Sequence, residues 1–399
     1  MATMDEIRKL LTRAVERVYP GEAAVLQTLK SGRRLSVYLG IDPTGPHLHL
    51  GHATNLLLLR RFQELGHRVY LLLGDFTARI GDPTDRLAAR QPLTPVAIKA
   101  NLKTFKQQAG KILRFSGQTA AQIKFNSRWL AKLRLADFLT LAGHFTVEQI
   151  LERAMFQERL RVQKPIWLTE LVYPLLQGYD SVALKVDAEI GGSDQTFNML
   201  VGRDLLKSYL GREKLLFTTK LLVNPKTGRK LMNKSEGGLV NLDDQPDQMY
   251  GRVMALPDET IMPVAELATD LPDAACAELA AALARGSANP RDLKMRLARA
   301  VVNLYWDAES AVAAEKHFIA AFQQGQPEAV SEVSAAVGAS LFEILQTAGL
   351  VKSKSDWRRL VAAGAVELDG ERLVDPHYRL KKSAVCQIGK RRFLRLRVK

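Results

Sequence analysis

The chain has 399 residues, a formal net charge of +15, 47% hydrophobic and 25% charged residues, which describes a globular protein of more than one domain rather than a disordered or fibrous one. No apolar run reaches membrane-span length, and the charged, amphipathic start of the chain lacks a signal-peptide core, so a cytoplasmic protein with no membrane partner is expected. Two distant cysteines, Cys276 and Cys386, without any C-x-x-C, exclude a disulfide framework and a zinc knuckle, and the strongly basic balance points to a polyanion, nucleic acid first.

Residues 35–41 form a short apolar run that predicts a buried strand. Pro43, Gly45 and Pro46 then turn the chain, and an apolar-periodic helix runs from Gly51 through Leu56 and Leu59 to Leu65, stopped by Gly66. His49 and His52 lie three apart at its start. A helix N-terminus presents free N–H groups and positive partial charge, and histidines add donors for phosphate oxygens, so this strand–turn–helix is a candidate nucleotide cradle.

Residues 68–74 predict a second buried strand, running into a turn-rich loop that ends at Gly81-Asp82-Pro83. Ligands of open α/β sheets bind beyond strand carboxyl ends, which makes Asp82 a candidate site residue. Residues 95–117 read as a helix with Lys99, Lys103, Lys106 and Lys111 at helical spacing. They lie in a stretch, 86–136, that holds eleven Lys or Arg and no Asp or Glu, which favours an RNA-facing surface. A further helix is expected from Asn126 to about Gly143.

Residues 168–179 predict a helix that carries Tyr173, Gln177 and Asp180 at i, i+4 and i+7 on one face. The rest of it is apolar, so this polar stripe needs partners; a ligand with an amine, a carboxylate and a phenol would supply them. A strand is expected over 182–190. The string Gly191-Gly192-Ser193-Asp194-Gln195 then opens a helix ending at Gly211, with glycines that admit a ligand and Ser193 or Asp194 as cap. A short strand over 221–223 precedes a glycine-flanked loop, 228–238, whose Lys230 and Lys234 suit a clamp on pyrophosphate. Residues 247–324 are alanine- and leucine-rich with helical periodicity, and 323–327 suggest a linker. The remainder, 336–399, shows two short helices, an Asp369-Gly370 hairpin turn and a tail, 378–399, with nine Lys or Arg and no acid.

His49-Leu50-Gly51-His52 resembles the first signature of class I aminoacyl-tRNA synthetases, and Tyr38-x-Gly40-x-Asp42-Pro43-Thr44 looks like its form in the bacterial tyrosyl-tRNA synthetases. Tyr173, Gln177 and Asp180 match that family's tyrosine-binding helix, the Gly191–Asn198 string is specific to the tyrosyl branch, and Lys230–Ser235 resembles the KMSKS loop. Three departures stand out: Ala78 replaces a usual glycine, Leu231 stands where the first lysine of that loop is usual, and Asn233 replaces its first serine. The resemblance implies an α/β Rossmann-like catalytic domain over 1–240 with an insertion at about 85–165. It further implies an α-helical anticodon-recognition domain over 241–325 and, over 336–399, an RNA-binding domain like that of ribosomal protein S-four.

By the same resemblance the activity is tyrosine–tRNA ligation: ATP, with Mg²⁺, activates L-tyrosine, and tRNA(Tyr) accepts it. His49, His52, Lys230 and Lys234 would stabilise the transition state. Tyr38, Thr77, Asp82, Tyr173, Gln177, Asp180 and Gln195 would hold tyrosine. Asp42, Thr44, Gly51, Asp194, Lys234 and Ser235 would hold ATP, and Arg358, Arg359, Lys381 and Lys382 would meet RNA phosphates. A homodimer is expected, and no all-protein metal site. Two alternatives are the tryptophanyl relative, which a phenol-suited Tyr38 and Asp180 disfavour, and a non-catalytic RNA-binding paralogue, disfavoured by the intact histidines.

Overall fold

The computed structural model describes residues 3–84, 92–233, 238–286, 288–322, 331–351, 353–389 and 392–398. Lys234 and Ser235, and the linker expected at 323–327, lie outside the described residues. The chain divides into two compact units, Met1–Ala308 and Glu309–Lys399.

The first unit is built on β1 (Val15–Tyr19), β2 (Ser36–Ile41), β3 (Arg68–Leu73), β4 (Gln122–Phe125), β5 (Ala188–Gly192) and β6 (Leu215–Thr219), in the spatial order β1-β6-β5-β2-β3-β4. Strands β2 to β6 are mutually parallel and β1 closes one edge antiparallel to β6. Val37, Leu39, Val69 and Leu71 are buried, as strands covered on both faces require. From β2 the chain winds outward through β3 and β4; β5 and β6 continue on its other side. The seam between β2 and β5 is therefore where strand order reverses, the place at which open parallel sheets bind ligands.

Several expected elements differ. The 182–190 strand begins only at Ala188, because the preceding helix runs Leu168–Leu184 and ends on Lys185 at φ 52°. Short apolar runs do not distinguish a helix end from a strand. The 95–117 helix is broken into Pro95–Asn101, a 3₁₀ turn at Leu102–Thr104, and Phe105–Ala109, ending at Gly110. The 126–143 helix is two pieces, Ser127–Leu130 and Leu135–Ala142. Residues 221–223 make only an isolated bridge, Val223 to Lys230. Helices Pro246–Met254, Ile261–Leu267, Asp273–Arg285 and Pro290–Tyr305 fulfil the helical expectation and belong to the same compact unit as the sheet.

The second unit carries β7 (Ser331–Ala335), β8 (Val366–Leu368), β9 (Glu371–Arg372), β10 (Ala384–Ile388) and β11 (Arg392–Val398), ordered β7-β11-β10-β8-β9. Helices Leu341–Thr347 and Lys354–Ala362 complete it, with Leu345, Trp357, Val366 and Leu396 in its core. Asp369 (φ 51°) and Gly370 (φ 86°) both take the left-handed conformation that a two-residue hairpin turn demands. The basic tail is thus two strands of this sheet. Cys276 and Cys386 are buried free thiols.

Candidate active site

A cavity of about 320 Å³ opens beyond the carboxyl ends of β2 and β5. Every predicted catalytic, tyrosine-binding and ATP-binding residue within the described chain lines it, from Tyr38, Asp42, Thr44 and Gly51 to Asp180, Asp194 and Lys230. Thr77, Asp82, Tyr173, Gln177, Gln195, His49 and His52 complete the set. The polar stripe of the Leu168–Leu184 helix faces inward because the remainder of that helix packs on the Thr196–Leu210 helix. Gly178 and Gly202 permit this close approach; a Cβ on Gly178 would meet Val201 and Leu205 at 2.9 Å.

At the phenol end, Tyr38 and Asp180 are 1% and 3% exposed. Burial pushes the Asp180 carboxyl well above the ordinary carboxylate range, against the pull of two donors. Those donors are Trp129 Nε1, 2.8 Å from Oδ1, and Asn126 Nδ2, 3.2 Å from Oδ2. Tyr38 Oη lies 3.0 Å from Ser181 Oγ, and burial raises its phenol as well.

Asp42 was expected on the ATP side; its carboxylate is hydrogen-bonded to two residues expected to hold tyrosine. Oδ1 accepts from Thr77 Oγ1 at 2.7 Å, and Oδ2 accepts from Tyr173 Oη at 3.0 Å. Gly74 makes this possible, since a Cβ there would lie 1.9 Å from Asp42 Oδ1 and 2.4 Å from Thr77 Oγ1. Ala78 sits in the 3₁₀ turn Thr77–Arg79 without a positive φ, so its methyl is accommodated where a glycine is usual. Asp82 accepts from Gln195 Nε2 at 2.6 Å, and Asn198 Nδ2 bridges Gln195 and Gln177 at 3.0 Å each. Asp82 and Gln177 are therefore joined through Gln195 and Asn198, while Tyr173 belongs to the Asp42–Thr77 group.

At the nucleotide end, His49 is the N-cap of the Leu50–Glu64 helix. Its Nδ1 accepts from Gly51 N–H, and His52 Nδ1 accepts from His49 N–H, both at 3.2 Å. Burial depresses His49 to about 4 and His52 well below its ordinary value. Both rings are thus neutral near pH 7, and with Nδ1 accepting, each carries its proton on Nε2 as a donor. The imidazoles supply hydrogen bonds rather than charge; positive potential comes from the helix terminus and from lysine.

Lys230 Nζ pairs with Asp194 Oδ2 at 2.6 Å. The cap expected from Ser193 or Asp194 is not made: Gln195 takes the N-cap position without a side-chain bond. Gly192 instead makes room for Asp194, whose Oδ1 would lie 2.5 Å from a Cβ. Leu231, 5% exposed, lines the same cavity as an apolar wall.

Arg358 and Arg359 are exposed on the Lys354–Ala362 helix, and Lys381 and Lys382 are exposed ahead of β10. Arg359 also pairs with Asp356 at 2.8 Å. Lys99, Lys103 and Lys106 are exposed as an RNA-facing row requires, but Lys111 is not part of it. Its ammonium sits 3.4 Å from the Trp306 ring centroid, and burial lowers it to about 8. The helix stops at Gly110, so helical spacing does not carry on to Lys111.

Sequence reasoning missed Asn126, Trp129, Ser181, Glu189, Lys214 and Asn198, which hold the predicted residues in place. A signal existed for two of them. Glu189 is a charge inside an otherwise apolar strand, and Lys214 immediately precedes another, a pattern that asks for a buried pair.

A family model described as tRNA synthetases class I (W and Y) matches residues 30–323, and one described as S4 domain matches 341–386. A tyrosine–tRNA ligase of Moorella thermoacetica is 42% identical over 395 residues, covering 97% of this chain and 95% of the relative. One from Thermotoga maritima is 39% identical over 397 residues, covering 99% and 98%. A solved, C-terminally truncated mitochondrial tyrosyl-tRNA synthetase of Aspergillus nidulans shares the fold at TM-score 0.66 and 24% identity, over 79% of this chain and 94% of that one. Likeness over nearly full length in sequence, with both domain matches in the same chain order, establishes that this chain belongs to the class I aminoacyl-tRNA synthetases, among the bacterial tyrosine–tRNA ligases.

Proposed function

We propose that the one cavity carries both steps of tyrosine–tRNA ligation, with the roles divided between its two ends. First, a tyrosine carboxylate oxygen attacks the α-phosphate of ATP, the bond to the bridging oxygen breaks, and pyrophosphate leaves with its electron pair. Then a terminal ribose hydroxyl of tRNA(Tyr) attacks the tyrosyl carbonyl and AMP departs. Neither step needs a side-chain nucleophile, because such transfers are accelerated by positioning and by stabilising charge on the departing phosphates.

Tyr38 and Asp180 clasp the substrate phenol; Asp82, Tyr173 and Gln177 receive its ammonium, with Thr77 holding Asp42 and Gln195 holding Asp82. His49 and His52 donate from Nε2 to the phosphates, and Gly51 brings the helix terminus close. Thr44 and Asp194 serve the nucleotide, Lys230 is drawn from Asp194 to phosphate when ATP enters, and Lys234 and Ser235 act on pyrophosphate. A Mg²⁺ entering with ATP would be held mainly by phosphate and water rather than by a protein carboxylate set, and would offset charge on the departing pyrophosphate.

Residues 1–240 carry the chemistry, 241–325 read the anticodon, and 336–399 bind RNA through Arg358, Arg359, Lys381 and Lys382. The chain works as a homodimer in the cytoplasm. Exposed Leu135, Leu139 and Val147 in the insertion, with Trp167 and Leu168 just after it, support a subunit contact there.

The observation that carries this reading is a buried, phenol-suited pair sharing one cavity with two neutral histidine donors at a helix start. The test is exchange of labelled pyrophosphate into ATP without RNA. Exchange that requires tyrosine is expected; an RNA-binding paralogue would show none.

A further inference from the structure

Beneath the phenol end lies a charged cluster that the reaction as described leaves unused. Glu189 in β5 stands opposite Tyr38 in β2 in the parallel register. Lys214, the residue before β6, reaches the same point. The Lys214 and Glu189 side chains are 0% and 4% exposed and form an ion pair. Lys214 Nζ also donates to Ser181 Oγ at 2.7 Å, and that oxygen lies 3.0 Å from Tyr38 Oη. Gly202 leaves the space: a Cβ there would be 2.6 Å from Lys214 Nζ and 3.0 Å from Ser181 Oγ.

Stability alone does not account for this cluster, since apolar residues of similar volume often replace a buried ion pair without loss. Its hydrogen-bond polarity does point somewhere. An ammonium only donates, so Ser181 Oγ accepts from Lys214, and the serine keeps one proton to give. Trp129 and Asn126 both donate to Asp180 and so favour its carboxylate form against burial; a phenol ligand then gives its own proton to Asp180, and its oxygen needs a donor from Tyr38. The Tyr38 hydroxyl also faces the Glu189 carboxylate; with Glu189 taken up by Lys214 and Ser181 donating to the Tyr38 oxygen, Tyr38 can give that proton to the ligand. The cluster also faces Asp180: Lys214 is a cation that Asp180 acts on, while Glu189 alone would add a second negative charge beside it.

We propose that Lys214, Glu189 and Ser181 are positioning residues for substrate selection, directing the Tyr38 hydroxyl proton toward the oxygen of a hydroxylated ring. Lys214 polarises Ser181, Ser181 donates to Tyr38, and Glu189 holds the ammonium in place and neutralises it. This rests on the reading that Tyr38 and Asp180 clasp the phenol.

The experiment measures kcat/KM for tyrosine and for phenylalanine in pyrophosphate exchange, with KM for ATP alongside. Three variants of the full chain are compared: Lys214→Met/Glu189→Met, Ser181→Ala and Glu189→Gln. The first two should lose roughly tenfold in tyrosine-over-phenylalanine preference, the scale of one hydrogen bond, through KM for tyrosine and with KM for ATP unmoved. Glu189→Gln, which still accepts from Lys214 but leaves its charge unneutralised, should also lower the preference, by less than the first two variants do. Ser181→Ala, a one-atom change, carries the test if the double variant does not fold. Unaltered preference in Ser181→Ala, or equal loss for both amino acids, would overturn the relay. A separate Tyr38→Phe variant tests the underlying reading: if it leaves the preference intact, the phenol clasp itself has failed, whatever the relay does.

Discussion

Tyr38 and Asp180 are 1% and 3% exposed at the phenol end of the cavity, and each is held by side chains from other elements: Asn126, Trp129 and Ser181. At the phosphate end the Lys230 side chain is 42% exposed and that of Asp194 is 19% exposed, and they hold one another. The difference suits the two tasks proposed for them. Rejecting a ring without a hydroxyl depends on buried polar groups that such a ring would leave unpaired; the tyrosyl enzymes are themselves the usual illustration of that rule. Stabilising phosphate charge asks for donors and cations that can change partners when the nucleotide arrives.

The sharpest way to break this contrast is Asp180→Ala. It should cost about a hundredfold in tyrosine-over-phenylalanine preference, the scale of leaving a buried polar group unpaired, and leave KM for ATP nearly unchanged. Competition of the two amino acids in pyrophosphate exchange measures it, and equal loss for both would remove Asp180 from the phenol site. Next comes Gly74→Ala, which forces a methyl against Asp42 Oδ1 and Thr77 Oγ1. Overpacking of this kind costs about 1–3 kcal/mol, and KM for tyrosine should rise together with a lower urea midpoint. If both stay put, the Asp42–Thr77 contact does not shape the tyrosine site.

Acid probes the phosphate end. His49 and His52 are depressed in the folded protein, so below about 6.5 the unfolded chain binds more protons and stability falls as pH falls. For His49 the decline should run at roughly 1 kcal/mol per pH unit until its folded ring protonates near 4. Urea midpoints measured across that range in the protein and in His49→Asn should differ in slope; parallel slopes would mean the rings are not held neutral. Smallest is Lys230→Met. Because Lys230 starts out neutralised by Asp194, its removal should slow exchange only about fivefold, the scale of a partly exposed ion pair. A hundredfold fall would make it the principal cation.

Much of this was legible in the chain itself. The i, i+4, i+7 stripe of Tyr173, Gln177 and Asp180 announced an inward polar face, because helical period alone places those residues together. The two histidines at a helix start were similarly plain, since capping and anion affinity are local properties of a helix end. The breaks at Gly110 and between Leu130 and Leu135 were not visible, nor was strand β4, because short irregular elements are decided by what packs on them. The partners of Asp42 were hidden for the same reason: Thr77 and Tyr173 are distant in sequence and meet it only in the folded chain.

By itself, then, the order of residues determined the long helices with a continuous apolar period, the turn at Asp369-Gly370 and the types of side chain available for chemistry, all of which depend on contacts within a few residues. Only the tertiary structure decided that Asn126 and Trp129 hold Asp180, that Lys214 and Glu189 pair beneath Tyr38, and that both histidines are neutral. Those depend on burial and on partners tens to well over a hundred residues away, and neither can be computed from a local pattern.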